Sequence, residues 1–430
     1  MKHINSLTIL MILLLSMFSS IILFAPNNDE NIRVILTIDK AKFNRNIISD
    51  FGGKIIYELK LIPVIIVKIP ENAIKALRNI PGVLNVKIDG TFYALQPPIA
   101  PPGKEKEQPP QKVPWGIERI KAPNTWNTTK GWVDINGDED SEIEVAIIDT
   151  DVDKDHPDLY LNIKWGIAVL NGRISSRYTD RNGHGTHVSG TIAAINNDIG
   201  VVGVAPEVEI YVIKALGNGG TGSWSDLIIA IELAIKGPDD VVDADGDGII
   251  VGDPDDDAAE VISMSLGGSN PPTALHDIIK VTYNYNTTLV AAVGNESADS
   301  SLYPAAYPEV IAVGAIDESD NVPNWSNRNP EVTAPGVNIL STYPDDSYEE
   351  LSGTSTACPR VCGTIILIQA SRIANGMSIL PPGTQEDLTN STIRGLLHLT
   401  ADDLGDEGYD VLYGYGVIRA DLAVKAALGP

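Results

Sequence analysis

Apolar and polar positions follow two different rhythms along this chain. Up to residue 95 the pattern is short and mixed: 33–38 alternates as a strand, 41–49 suits a helix, and 54–69 reads as two strands broken near Leu61. Residues 71–79 place Ile74 and Leu77 on one helical face, and 83–88 close the series as a strand. The order βαββαβ predicts a small ferredoxin-like α+β unit. Beyond residue 111 the strands are short apolar runs, at 144–149, 210–216, 261–265, 288–293 and 310–315, with helical runs such as 225–235 and 275–285 between them. This alternation predicts an α/β domain with a parallel sheet and helices on both faces. Functional residues then belong at the carboxyl ends of its strands.

Two stretches break these rhythms. Between 96 and 111 the chain turns to proline and charge, P-P-I-A-P-P-G-K-E-K-E-Q-P-P, which cannot bury enough apolar surface to fold and predicts an extended linker. At the start, Lys2 precedes an apolar stretch over 7–25 interrupted by Ser16, Ser19 and Ser20, the pattern of a secretory signal. Its length also approaches a bilayer span, so an uncleaved membrane anchor is the alternative. Either way the remainder is exported. The division is therefore 1–25 as signal, 27–95 as the small unit, 96–110 as linker and 111–430 as the large domain.

Composition adds a constraint on partners. The 430 residues are 43% hydrophobic, enough for one small and one large core, and carry a net charge of −26. Such a surface repels phosphates, which argues against nucleic acid, and suits cations instead. Cys358 and Cys362 lie four apart on one predicted helix, a poor geometry for a disulfide and too few ligands for zinc, so they read as small buried thiols.

The chemistry is concentrated in three motifs: V-A-I-I-D at 145–149, G-H-G-T-H at 183–187 and S-G-T-S-T-A at 352–357. An aspartate ending an apolar run, a glycine-flanked histidine and a glycine-flanked serine are the parts of an orienting acid, a general base and a nucleophile. The residues alone leave both His184 and His187 open as the base. Asp, His, Ser is the chain order of subtilisins, unlike that of chymotrypsin-type enzymes or α/β-hydrolases. With A-A-V-G-N-E at 291–296 as a fourth motif, the chain from about Pro110 onward resembles the subtilisin-like serine protease family, and the segment before it resembles that family's inhibitory propeptide.

The resemblance implies a secreted endopeptidase, made as a self-processing precursor, that cuts peptide bonds through an acyl-enzyme. It assigns Ser355 as nucleophile at the start of a helix running toward Ala374, His184 as base, Asp149 as its orienting acid and Asn295, with the Ser355 amide, as oxyanion holder. It also implies that 27–95 acts as chaperone and inhibitor, with 91–95 lying in the groove like a product and self-cleavage after Leu95. G-G-T-G at 219–222 and S-L-G-G at 265–268 resemble the groove rims, which makes Gly220, Gly222, Ser265, Leu266 and Gly267 substrate-binding residues for a peptide added as a strand. Leu302 falls near the floor of the specificity pocket. Protein or peptide substrates and the chain's own propeptide are the partners, and a monomer is expected.

Calcium is the cofactor this chain predicts. D-A-D-G-D-G at 243–248 alternates carboxylates so that Asp243, Asp245 and Asp247 can converge on one cation, as in the first half of an EF-hand loop. The closing glutamate is absent, since Pro254 stands at the twelfth position, but Asp253, Asp255, Asp256 and Asp257 supply further carboxylates. By this insert the closest likeness is to calcium-rich archaeal subtilisins, which implies several calcium ions in the loop. The resemblance implies a second site from Gln111, Asp158, Asn197 and the carbonyls of Ile195, Ile199 and Val201; D-I-N-G-D-E-D at 134–140 is a further candidate. Three departures stand out: Asp151 where the family has glycine, Thr356 where it has methionine, and Arg360 where it has histidine. They leave open a weakly active or inactive relative that serves as a calcium-stabilised binding scaffold.

Overall fold

The computed structural model describes residues 31–96, 107–137, 141–253 and 255–429. The signal stretch, most of the linker, the end of the 134–140 loop and Pro254 lie outside the described residues.

The strand-forming runs of the first hundred residues fold as one sheet. Strands β1 (Asn31–Ile38), β2 (Lys54–Glu58), β3 (Val64–Pro70) and β4 (Val83–Ile88) pair antiparallel in the order β2-β3-β1-β4, the ferredoxin-like arrangement. The helix predicted over 41–49 shrinks to Asn46–Asp50. Local side chains compete for its backbone donors: the Asp39 carboxylate accepts from the Ala41 amide, and Asn44 Oδ1 accepts from the Asn46 amide. The second segment is a 3-10 turn, Glu71–Ala73, running into a helix at Ile74–Leu77, with Ile74 and Leu77 buried as their spacing implies. A fifth strand, β5 (Thr91–Ala94), leaves this sheet altogether.

The large domain is built on β6 (Glu144–Asp149), β7 (Ile163–Leu170), β8 (Arg173–Ser175), β9 (Glu209–Lys214), β10 (Thr221–Ser223), β11 (Val261–Met264), β12 (Leu266–Gly267), β13 (Thr288–Ala292), β14 (Val310–Ile316), β15 (Val332–Pro335), β16 (Ile339–Tyr343) and β17 (Ser347–Leu351). Eight of them form one sheet in the order β15-β14-β13-β11-β6-β9-β7-β8, parallel except for the β7–β8 hairpin, which the apolar pattern did not reveal. The central strand β6 shows why its sequence is apolar throughout. Val145 and Ile147 join the core under the helix Thr354–Ala374, whereas Ala146 and Ile148 join the core under the helix Trp224–Lys236 on the opposite face. Cys358 and Cys362 are free buried thiols in the first of these helices. No helix among the described residues is long and apolar enough to cross a membrane.

The small unit shares one of these cores. Ile35, Leu59, Ile62, Val64 and Ile66 belong to the same apolar cluster as Ile228 and Ile231 of the helix Trp224–Lys236. Polar contacts fix the register of that contact. Glu232, fully buried, accepts hydrogen bonds from the amides of Lys60 (2.7 Å) and Leu61 (2.9 Å) and from the Tyr57 hydroxyl (3.0 Å). Arg33 reaches Asp226 at 2.9 Å and Asp89 at 3.3 Å, and Asp89 in turn accepts from the Ser225 amide and hydroxyl.

A carboxylate that satisfies two loop amides is worth more than a neutral acceptor, because each bond is charge-assisted. Glu232→Ala should therefore raise amide hydrogen exchange at Lys60 and Leu61 by about tenfold or more, roughly 1.4 kcal/mol of lost protection. Unchanged exchange at those two amides would mean that the apolar contact alone holds the loop.

Candidate active site

Asp149 ends β6 at the carboxyl edge of the sheet, buried, with Oδ1 accepting from the Thr150 amide at 2.6 Å. The same oxygen meets Nδ1 of His184 at 2.7 Å. His184 opens the helix His184–Ala193, and the two glycines beside it are steric requirements. Gly183 has φ +96° and a Cβ there would lie 2.2 Å from the Tyr343 ring; a Cβ on Gly185 would lie 2.0 Å from the Asp151 carbonyl oxygen. With Nδ1–H committed to Asp149, Nε2 is left as the basic nitrogen, and it is buried with no hydrogen-bond partner among the described residues. His187 is placed differently. Its Nε2 meets the Ile339 carbonyl at 2.8 Å, and burial pushes its pKa down to about 3.

Ser355 lies in the first turn of the helix Thr354–Ala374, fully buried, and that helix packs on the one that carries His184. Asn295 follows β13 and is held from behind: its Oδ1 accepts from both the amide and the hydroxyl of Thr354, each at 2.9 Å. That pairing turns Nδ2 outward, where it donates to the Leu95 carbonyl oxygen at 2.5 Å. The Ser355 hydroxyl lies 3.4 Å from the same oxygen. A single backbone carbonyl thus sits between a buried hydroxyl and an amide donor.

The strand that delivers this carbonyl is β5. It lies between β10 and β12 in a three-stranded antiparallel sheet, with Phe92 opposite Gly222, Tyr93 opposite both Thr221 and Gly267, and Ala94 opposite Leu266. Beyond it, the Ala94 amide donates to the Gly220 carbonyl at 2.8 Å and the Leu95 amide to the Ser265 carbonyl at 3.4 Å. The five residues read as groove rims, Gly220, Gly222, Ser265, Leu266 and Gly267, therefore all flank this strand. The Leu95 side chain is buried in the main core, and Leu302, packed at the edge of that core, lies against Gly267.

Several supporting residues escaped the sequence reading. Asp180, buried, accepts from the amides of Asn182, Gly183 and Thr186 and from the Thr186 hydroxyl (2.6 Å), which anchors the start of the histidine helix. Its signal was an acidic residue three positions before a helix-opening glycine, as a capping group would be. Thr354 carries no signal outside the fold, and Ser265, read as a groove residue, has a second contact the sequence does not show: its hydroxyl donates to the Ser355 carbonyl at 2.8 Å.

The departures from the family pattern are all buried. Asp151 has φ +128°, and burial raises its carboxyl to about 7 although Lys214 lies 3.5 Å from its Oδ2. Thr356 Oγ1 donates to the Gly353 and Gly336 carbonyls, and Arg360 Nη1 donates to the carbonyls of Thr356 (2.6 Å) and Pro335 (3.2 Å). Burial alone pushes the Arg360 guanidinium down to about 9.

Two groups of oxygens suit a hard cation. Gln111 Nε2 stands among the carbonyls of Ile195 (2.9 Å) and Val201 (3.3 Å) and Asn197 Oδ1 (3.4 Å), so a positive end already occupies the centre of an oxygen cage. Rotating that amide would add its own oxygen to the cage. Asp158 lies beside it, accepting from Asn197 Nδ2 and the Val201 amide, while the Ile199 amide bonds Asn197 Oδ1. In the acidic insert, oxygens of Asp243, Asp245 and Asp247 come within 4.8 Å of one another. Asp256 is drawn to them through the Ala244 amide at 2.6 Å, and Asp253, Asp243 and Asp245 add to the burial that raises its pKa. Asp253, Asp255 and Asp257 are not part of the converging group among the described residues.

Comparison with known proteins agrees with this arrangement. A profile of the subtilase family matches residues 140–416. Subtilisin E of Bacillus subtilis is 34% identical over 387 residues, covering 89% of this chain and 86% of that protein. An alkaline protease of Alkalihalobacillus alcalophilus is 33% identical over 374 residues, covering 86% and 82%, and Subtilisin Savinase of Lederbergia lenta is 36% identical over 317 residues, covering 73% and 100%. The chain belongs to the subtilase family of serine proteases.

The contact between Gly185 and the Asp151 carbonyl gives a direct test. Gly185→Ala must displace the first turn of the histidine helix, and a misplacement near 1 Å costs on the order of 100-fold in rate. The expected result is a loss of that size in kcat on a peptide substrate with the fold retained by circular dichroism; a variant with parental kcat would show that the helix start yields freely.

Proposed function

We propose that this subtilase is an exported, self-processing endopeptidase whose Asp149, His184 and Ser355 cut the peptide bond between Leu95 and Gln96 and then substrates presented in the same way. The observation that carries the reading is the Leu95 carbonyl held between Ser355 and Asn295 on a strand paired along both edges. Ser355 Oγ attacks that carbonyl carbon while its proton passes to His184 Nε2. Asp149 holds the ring in the required tautomer and stabilises the imidazolium. The developing oxyanion is met by Asn295 Nδ2 and the Ser355 amide at the start of its helix. Collapse expels the Gln96 amine with the proton from His184, and water then releases the acyl group as the Leu95 carboxylate.

In this reading residues 1–25 are a signal, 27–95 a propeptide that remains in the groove as a product inhibitor, 96–110 an excised or cut linker and 111–430 the mature monomeric enzyme. Calcium fits both oxygen clusters. The Gln111 cage and the Asp243–Asp245–Asp247 group would each hold an ion, which neutralises an insert that otherwise repels itself. The acidic insert is also what relates the chain to calcium-rich archaeal members of the family.

Ser355→Ala removes the nucleophile and should leave full-length precursor by mass spectrometry, whereas the parent yields a break after Leu95. Cleavage at that bond by the purified variant would end the intramolecular scheme. Replacing Asp243, Asp245 and Asp247 together by asparagine should lower the melting temperature measured in millimolar Ca²⁺ by a few degrees, on the scale of about 2 °C per kcal/mol of lost ion binding in a domain of this size. Equal melting temperatures of parent and triple variant across calcium concentrations would make the insert a solvated acidic loop.

A further inference from the structure

We propose that Asp151 serves as the counter-charge of Lys214 and thereby sets the basicity of the His184–Asp149 pair, making it a tuning residue of the catalytic reaction. The inference rests on the reading of His184 as general base. Lys214 ends β9 directly opposite Asp149 in the parallel register of β6 and β9, and its ammonium donates to the Thr150 carbonyl. It is 5% exposed, and the Asp151 carboxylate, 3.5 Å away, is 1% exposed. A buried ammonium so near the catalytic acid, left uncompensated, favours the Asp149 anion but opposes a second positive charge on the imidazole. An ionised Asp151 cancels that opposition.

The backbone carries an independent sign of the same role. Asp151 holds φ +128°, a conformation suited to glycine, so the side chain is kept there against local preference. Its Oδ1 is bound by the Val152 amide at 2.9 Å, while Oδ2, without a hydrogen-bond partner among the described residues, lies 3.5 Å from the lysine ammonium; the Thr179 backbone and Asp180 also act on the carboxylate. The other charged and titratable groups around it are Asp180 and Tyr178 from the segment before the histidine helix, Tyr178 also meeting Lys154 and Asp155, while His187 faces His184 from its own helix. Among the described residues Lys214 is the cation that acts on Asp151 itself, whereas Lys154 acts on Tyr178.

The sign of the effect follows. Burial raises Asp151 to about 7, so the carboxylate is ionised above that pH and neutral below it. As pH falls, Asp151 takes up a proton, Lys214 becomes uncompensated, and protonation of His184 is made harder. The acid limb of kcat/KM in the parent should therefore be shallower than a single-proton curve. Removing the carboxylate leaves Lys214 uncompensated at every pH, which moves the limb to lower pH and restores a single-proton shape.

The test uses enzyme matured from the full chain, with pH profiles of kcat/KM on a peptide substrate for the parent, Asp151→Asn and Asp151→Gly. Asparagine keeps the strained backbone and removes the charge; glycine removes both. Both should shift the acid limb downward by on the order of half a pH unit, or about threefold higher kcat/KM on the limb. In a Lys214→Met background the Asp151→Asn change should no longer move it, and if that background does not fold the two single variants still decide. An unmoved limb in both variants would overturn the proposal, as would a shift in the glycine variant alone, which would assign the effect to backbone strain. The His184→Ala precursor serves as the control for the underlying reading: full self-processing in that variant would remove the general base and this inference with it, whereas an unprocessed His184→Ala precursor with unmoved Asp151 limbs would overturn this inference alone.

Discussion

The pairing of β5 between β10 and β12 is the constraint on which the rest of the molecule depends. Backbone hydrogen bonds on both edges leave the strand no freedom to slide, because a one-residue slip would break the ladder and turn every side chain to the other face. Register then places the Leu95 carbonyl at Asn295 and Ser355 without any need for Leu95 to be recognised first. The small sheet at one end and the site at the other are held by the same eight or so residues of chain. Glu232 and Asp226 fix the small sheet on the helix Trp224–Lys236, and β5 transmits that placement to Ser355.

Around the site, rigidity is supplied by buried polar side chains that each serve more than one neighbour. Asp180 gathers the donors at the start of the histidine helix, Thr354 aims Asn295, and Arg360 ties the turn after the nucleophile to Pro335. Such groups cost desolvation unless fully bonded, so their presence concentrates around chemistry, where a loosely held atom is useless. Asp151 and Lys214 belong to the same class, each hydrogen-bonded to backbone, to the Val152 amide and the Thr150 carbonyl, and facing each other with opposite charge.

Much of this was legible in the chain itself, for identifiable reasons. The strands of the large domain are buried on both faces, so their apolar runs stand out against the helices, and β6, β11, β13 and β14 begin and end within one or two residues of the pattern. The two-stranded extension β7–β8 was missed because Ile163–Leu170 includes charged and small residues on a half-covered edge. The helix over 41–49 was overestimated because Asp39 and Asn44 compete for its amides, a local effect that periodicity does not register. The motifs together with the family resemblance singled out Asp149, His184, Ser355 and Asn295, but Thr354 and Asp180 became visible only where the fold brought them next to those groups. The acidic insert announced converging carboxylates, and among the described residues Asp243, Asp245 and Asp247 meet around the turns at Gly246 and Gly248 while Asp256 is held beside them through the Ala244 amide.

On the proposed function, a substrate takes the place of β5 in a groove that reads backbone before side chains, and this has a bearing on which polypeptides can be attacked. A segment can enter only if its own amides and carbonyls are unpaired on both edges over several residues, a state that a folded domain reaches only by local opening. The cutting rate on a folded protein then measures how often that protein frays, so two targets with identical sequence at the scissile bond would be consumed at rates set by their own local stabilities.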